Sequence, residues 1–277
     1  MRIIINRILQ MIALLVPRFW LIIISKALIL ICYPWLWGPK KVVKKNLYYT
    51  GEEITQAKVR EVFFYYILFL IDFFAIKKLN FSHLHSRVQI RGLHHLDNLV
   101  KNQTAGILVT GHLGNWELAG IYLGALGYPL CAVVEDVGKP VKFLNELREK
   151  TGMETILTSE TRKIIKAIKN RKIIVLLGDR DVTGTGLETP FLNGRKKLPL
   201  GPAYMAKKFN LPLLLGYFVY TKEGNYFEAL AEPLNYSQNI DIIKLHQLIA
   251  SQLGLYIKKY PTQWIVFQDE WRNENCN

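Results

Sequence analysis

The stretch Thr110-Gly-His-Leu-Gly-Asn-Trp-Glu-Leu-Ala-Gly120 sets an imidazole between glycines, with a carboxylate five residues on. A histidine beside a carboxylate is the arrangement of a general base, because the acid fixes the ring tautomer and raises its basicity. On one continuous helix a spacing of five turns side chains about 140° apart. His112 and Glu117 therefore meet only if His112 precedes the helix and Glu117 lies in its first turn. Gly111 and Gly114 permit that bend, and Asn115 or Gly114 can cap the helix. The plain alternative is a glutamate placed in a first turn for the helix dipole, with an incidental histidine. No Ser or Cys lies within the motif, so base catalysis suits it better than a covalent intermediate.

A second polar cluster, Gly178-Asp-Arg-Asp181, ends the apolar run 172–177. Asp179, Arg180 and Asp181 thus emerge at the C-terminal end of a strand, the edge where open α/β sheets bind ligands. Arg180 between two acids argues against a cation site. An arginine held by acids and offered to a phosphate or to the loop backbone fits better, and a solvated turn is the plain alternative. The loop that follows, TGTGLETPFLNGRKK, is rich in Gly and Thr and reads as irregular. It carries Glu188 and the basic run Arg195, Lys196 and Lys197, suited to an anionic head group or simply to a solvated face.

The elements that must position these residues follow from periodicity. Strands are expected at 88–92, 106–110, 130–135, 153–157, 172–177, 213–220 and 226–231. Helices are expected at 94–102, 116–126, 141–151, 161–170, 201–210 and 240–259, with a last strand near 264–267. This alternation predicts an α/β fold with a mostly parallel central sheet flanked by helices. Ahead of it, residues 62–71 are apolar without a break, five of them Phe or Tyr, as in a buried helix.

The 277 residues carry a net charge of +14, unevenly placed. Residues 1–51 hold eight Lys and Arg and no Asp or Glu, interleaved with apolar runs at 11–16, 19–25 and 27–37. Arg18 and Lys26 interrupt any clean span. Two readings stay open: an interfacial helix pair with snorkelling basic side chains, or a tilted span. The aromatic end Tyr33-Pro-Trp-Leu-Trp37 followed by Lys40 and Lys41 suits an anionic membrane surface. No small-residue cleavage site marks a signal peptide. The organisation expected is a basic apolar membrane-associating segment, 1–45, and an α/β domain, 46–277, with a helical lead-in at 46–85. Basic residues mixed with Ile, Leu and Trp do not read as a nucleic-acid surface. Cys32, Cys131 and Cys276 show neither pairing nor metal spacing, and His83, His85, His94 and His95 have no ligand partners at metal spacing.

Taken in order, these motifs resemble a family. GHLGNWELAG has the H-x4-[D/E] shape of the lysophospholipid and lipid A acyltransferases. Together with DRD…ETPFLNGRKKLPLGPAYMAKKFNLPLLLGYF, Lys44-Lys-Asn-Leu47, Tyr260-Pro-Thr-Gln-Trp264 and Trp271-Arg272, it looks like the late lipid A acyltransferases and the related phosphatidylinositol mannoside acyltransferases. The run VVEDVGKPVKFLNELREKTGMETI reads closer to the mannoside branch. The resemblance implies transfer of a fatty acyl group from acyl carrier protein or acyl-CoA to a hydroxyl of a membrane glycolipid, at the cytoplasmic face of the bacterial inner membrane. It implies His112 as base, Glu117 as its carboxylate, Asn115 and Arg180 as residues shaping the site, and Glu188 as a second partner or loop anchor. The acyl donor enters as substrate, and no metal or other cofactor is expected. The EGTR-like block of glycerolipid acyltransferases is absent. The acceptor expected first is a glycolipid like a lipid A precursor, with a phosphatidylinositol mannoside or another lysolipid as the alternative; Asp179-Arg-Asp181, standing where lipid A enzymes usually show Asp-Gln-Asp, moves weight toward a glycolipid of another kind. A non-catalytic lipid-binding protein and a thioester hydrolase are the rival readings.

Overall fold

The most apolar runs of the chain form the middle of a seven-stranded sheet. This computed structural model describes residues 2–78, 80–135, 148, 152–221, 224 and 226–272. The helix expected at 141–151 lies outside them, apart from Arg148. The strands are β1 (Val88–Arg91), β2 (Gly106–Thr110), β3 (Leu130–Val134), β4 (Glu154–Leu157), β5 (Ile173–Leu177), β8 (Leu213–Thr221) and β9 (Tyr226–Pro233). Their order is β1-β9-β8-β2-β5-β3-β4. All neighbours pair in parallel except β8 and β9, so β1 and β9 run against the other five. Covered on both faces, β2 and β8 bury nearly every residue, whereas the edge strand β1 alternates.

Side chains alternate between two cores. On one face, Ile107, Val109, Leu213 and Leu215 pack with α8 (Thr161–Lys169), α9 (Gly201–Phe209) and α10 (Ile242–Lys259). On the other, Leu108, Leu214 and Phe218 pack with α4 (Gln56–Phe74), α6 (Leu93–Lys101) and α7 (Trp116–Ala125), and the short α5 (Phe81–His85) closes that layer. The unbroken apolar run of α4 is explained by its neighbours, since Phe63, Leu68, Phe69 and Phe73 are all buried.

Two elements differ from expectation. The loop after GDRD is an antiparallel hairpin, β6 (Leu187–Phe191) and β7 (Gly194–Leu198). Its alternation is hidden in the sequence because Pro190 interrupts one strand and Lys196 occupies an inward position of the other. Residues 264–267 make no strand. Instead Trp264 bridges to Leu113, and Gln263 and Ile265 bond the backbone of the His112 loop.

At the N-terminus α1 (Arg2–Leu15), α2 (Arg18–Cys32) and α3 (Trp37–Thr50) precede α4, and α3 runs across residue 45. The Arg18 guanidinium donates to both oxygens of Asp72 on α4, at 2.7 and 3.1 Å, and to the Gly224 carbonyl at 2.7 Å. Leu21, Ser25 and Ile29 lie one turn apart along the buried stripe of α2. The opposite stripe is bare: Phe19, Trp20, Ile23, Ile24, Ile31 and, beyond the helix, Trp35 and Trp37 are exposed. By length and composition residues 18–35 could cross a membrane, with only 17% of that stretch buried.

Candidate active site

Strands β2 and β5 are parallel neighbours in register, Thr110 opposite Leu177. Two residues beyond each lie His112 and Asp179, so sheet order alone brings them to the same C-terminal edge. The Gly178 amide donates to the Thr110 carbonyl at 2.8 Å, which carries the pairing into the loops. A Cβ on Gly178 would lie 2.8 Å from Val109 and 2.9 Å from Leu253. The His112 Nδ1 lies 2.9 Å from Asp179 Oδ1, and the His112 backbone amide donates to Oδ2 at 3.0 Å. The Trp264 indole Nε1 donates to that same oxygen at 2.8 Å.

Asp179 is thus fully buried with three donors around it. Burial alone would push its carboxyl up. The nearby His112 charge and hydrogen bond, the Lys196 ammonium and the indole bond outweigh it and hold the group well below the usual carboxylate range. An ionised Asp179 accepts from Nδ1–H, which leaves the Nε2 lone pair free to take a proton.

The loop that presents His112 is pinned on both sides. Its carbonyl accepts from Ile265 at 2.8 Å, the Gly114 amide donates to Gln263 at 2.9 Å, and the Asn115 amide donates to Phe218 at 2.8 Å. Gly114 has φ of 65°, and a Cβ there would stand 2.2 Å from the Phe218 carbonyl oxygen. Only glycine satisfies both demands. Asn115 is the helix cap: its side chain accepts from the Leu118 amide at 3.0 Å and donates to the Tyr220 hydroxyl at 2.8 Å.

Glu117 does lie in the first turn of α7, but its partner is Arg148, at 2.5 and 3.0 Å. The expected His112–Glu117 pair is therefore replaced by His112–Asp179. The reason is direction: His112 leans toward β5, while the Gly114 turn starts α7 on another line and sets Glu117 against the nearly buried Arg148.

The rest of GDRD divides in function. Arg180 donates from Nε and Nη2 to Glu270 Oε1, at 2.8 and 2.7 Å. It is held by an acid, as expected, but by one distant in sequence. Asp181 organises its own loop, accepting from the Gly186 amide at 2.8 Å and the Thr183 hydroxyl at 3.0 Å. Glu188 and Arg195 pair across the exposed face of the hairpin at 3.1 Å, with Arg272 at 3.6 Å from Glu188.

Three nearby residues carry signals that spacing did not assign. Trp264 lies in the Tyr260-Pro-Thr-Gln-Trp264 run and supplies an indole to Asp179. Lys196 belongs to a basic run that read as solvated, yet its side chain is 1% exposed. Glu135, just past β3, has its carboxyl pushed up by burial, with Arg180 and His112 close enough to oppose that shift.

The His112 ring meets Trp116 edge-on, with centroids 4.9 Å apart. Trp116 and Thr110 also line a narrow apolar cleft. It runs beneath α7 across the sheet face, past Leu108, Gly120, Phe218 and Ala229 toward Ile90 and Leu96. A carboxylate–imidazole pair thus stands at the parallel edge of an α/β sheet, and Trp116 lies between it and this narrow apolar cleft.

The sequence pattern of the bacterial lipid A biosynthesis acyltransferases matches residues 3–273, and the chain belongs to that family. It is 26% identical over 190 residues to a phosphatidylinositol mannoside acyltransferase of Mycobacterium tuberculosis, covering 66% of this chain and 59% of that protein. It is 25% identical over 206 residues to the protein of the same name from Mycolicibacterium smegmatis, covering 72% and 67%. The chain thus spans less than two thirds of the length of the first of these relatives.

Proposed function

We propose that the protein is a membrane-associated O-acyltransferase that moves a fatty acyl group from a thioester to a hydroxyl of a membrane glycolipid, with His112 as general base. The observation that carries this reading is the His112–Asp179 pair, whose imidazole meets Trp116, a residue that lines the apolar cleft. The acceptor hydroxyl gives its proton to His112 Nε2 as its oxygen attacks the thioester carbonyl. Asp179 stabilises the imidazolium so formed. When the tetrahedral intermediate collapses, the C–S bond breaks and the proton passes from His112 to the departing thiolate. The acyl chain lies in the cleft beneath α7, with Trp116 between chain and imidazole.

The family supports acyl transfer, and the names of the mycobacterial relatives favour an acceptor of the phosphatidylinositol mannoside kind over lipid A itself. The donor is acyl carrier protein or acyl-CoA. The exposed apolar stripe of α2 and its Trp-rich end would rest in the interface of the inner membrane, on the cytoplasmic side where such thioesters are made. The two contacts of Arg18 with Asp72 support a helix lying against the body of the protein rather than one crossing alone.

The test supplies the purified protein with palmitoyl-CoA, or with palmitoyl acyl carrier protein, and a phosphatidylinositol dimannoside acceptor. Mass spectrometry of the products decides. An acylated glycolipid that disappears in His112→Ala is expected. Free palmitate alone would make the protein a hydrolase, and no turnover with either donor would favour a lipid-binding role.

A further inference from the structure

The Lys196 side chain projects inward from β7 into a cage of three aromatic rings. Its ammonium stands 5.7, 5.4 and 5.5 Å from the centroids of Phe191, Trp264 and Trp271. Glu270 Oε2 is its acidic partner at 2.9 Å, and the other oxygen of Glu270 holds Arg180. A lysine taken this far from water is costly unless paired and caged. Position 196 lies in a strand whose alternate inward residue is Leu198, so an apolar side chain would satisfy packing alone. At the edge of the Trp264 ring, on its indole N–H, lies Asp179, an anion with no exposure to solvent.

The charged groups are thus linked through shared partners: His112 to Asp179 directly, Asp179 to Lys196 through the Trp264 ring, and Lys196 to Arg180 through Glu270. We propose that Lys196 is a positioning residue of this centre: its buried ammonium, seated on the Trp264 ring that holds Asp179, offsets the Asp179 charge and so tempers the pull of that carboxylate on the His112 proton. The argument is one of balance. An isolated buried carboxylate beside an imidazole favours imidazolium, which cannot accept a proton. A fixed cation near the carboxylate weakens that pull without removing the hydrogen bond that sets the tautomer. Other charged groups facing His112 are Glu135, Arg180 and Asp181, and none of them is enclosed as Lys196 is. Lys196 also lies beside Asp179 strongly enough to help hold that carboxyl ionised.

This inference rests on His112 being the base, and its test does not require turnover. The full-length protein in detergent, labelled at histidine Cε1 with carbon-13, is titrated by NMR. His112→Gln identifies the His112 signal among the six histidines. In Lys196→Met, which keeps length and apolar bulk, His112 is expected to take its proton at higher pH, by on the order of one pH unit. Lys196→Arg should titrate like the wild type. In Glu270→Gln, which leaves Lys196 and Arg180 without their carboxylate, the midpoint should move the other way. If acyl transfer is observed, the acid limb of kcat/KM should follow the same shifts. An unchanged or lowered midpoint in a folded Lys196→Met protein would overturn the proposal. Should that variant fail to fold, an unchanged or raised midpoint in Glu270→Gln would do so. A His112 that titrates as expected in a protein without transferase activity would instead count against the function proposed above.

Discussion

Asp179→Asn separates the two carboxylates that could serve His112. The asparagine side chain has nearly the same shape but offers one acceptor oxygen and an N–H2 group where Asp179 offers two oxygens. Two donors converge on Oδ2, the His112 amide at 3.0 Å and the Trp264 indole at 2.8 Å, and one donor, Nδ1–H, meets Oδ1. Turning the amide nitrogen toward the Oδ2 position would set it against two N–H groups. The amide oxygen therefore takes that place, and the N–H2 group faces Nδ1. Nδ1 must then accept, so the proton moves to Nε2, and the nitrogen that should act as base becomes a donor. The fold keeps all three hydrogen bonds, one of them reversed and none any longer to a charged group, so the loss of stability should be about 1.5–3 kcal/mol, the scale of a bond to a charged group. The loss of rate should be larger, roughly 10²–10⁴-fold in kcat/KM, as for other acid–base contributions. Steady-state rates at several pH values and thermal melts on Asp179→Asn, Glu117→Gln and the wild type provide the test. In Glu117→Gln the Arg148 ion pair is weakened, so a loss in the melt is expected while the pH profile stays in place. A normal rate and pH profile for Asp179→Asn, with the profile displaced in Glu117→Gln, would return the carboxylate role to Glu117 and refute the geometry argued here.

Two further outcomes follow from the same structure. Changing Phe19, Trp20, Ile23, Ile24 and Ile31 to Ser leaves the buried Leu21, Ser25 and Ile29 untouched. At about 1 kcal/mol for each half-exposed side chain it should weaken partitioning into anionic lipid vesicles by roughly three to four orders of magnitude. The melt in detergent should be unaffected, and a variant that still sediments with vesicles in high salt would place the anchor elsewhere. Cys131 is fully buried on β3, and burial, with Glu154 nearby, pushes its thiol up to about 12 against the opposing pull of Lys172. At pH 8 only about one molecule in 10⁴ carries the thiolate. In a Cys32→Ser/Cys276→Ser protein, N-ethylmaleimide should therefore react slowly until denaturant is added, and rapid labelling of the folded protein would reopen a covalent acyl-cysteine route.

The sheet was legible because its strands are buried on both faces and read as unbroken apolar runs between turn residues. The His112 loop was legible for a related reason, since glycines flank a polar residue directly after such a run. The partner of His112 was not. Asp179 lies 67 residues away, and the two meet only because β5 was laid beside β2 after β3 and β4 had been placed on its far side. Periodicity fixes faces and not neighbours, so the nearest carboxylate in sequence, Glu117, drew the reading. One clue was available: His112 and Asp179 both stand two residues beyond an apolar strand, which is the placement of groups that share a sheet edge. Lys196 shows a harder limit. Beside Arg195 and Lys197 it reads as one of three solvated cations, and nothing local separates it from them. What separates it is the inward phase of β7, and that phase is visible only once Thr189, Phe191, Lys196 and Leu198 are seen to share a face. A lysine at such a phase breaks the very alternation by which a strand is recognised. A charged residue placed in the core thus conceals both itself and the element that carries it.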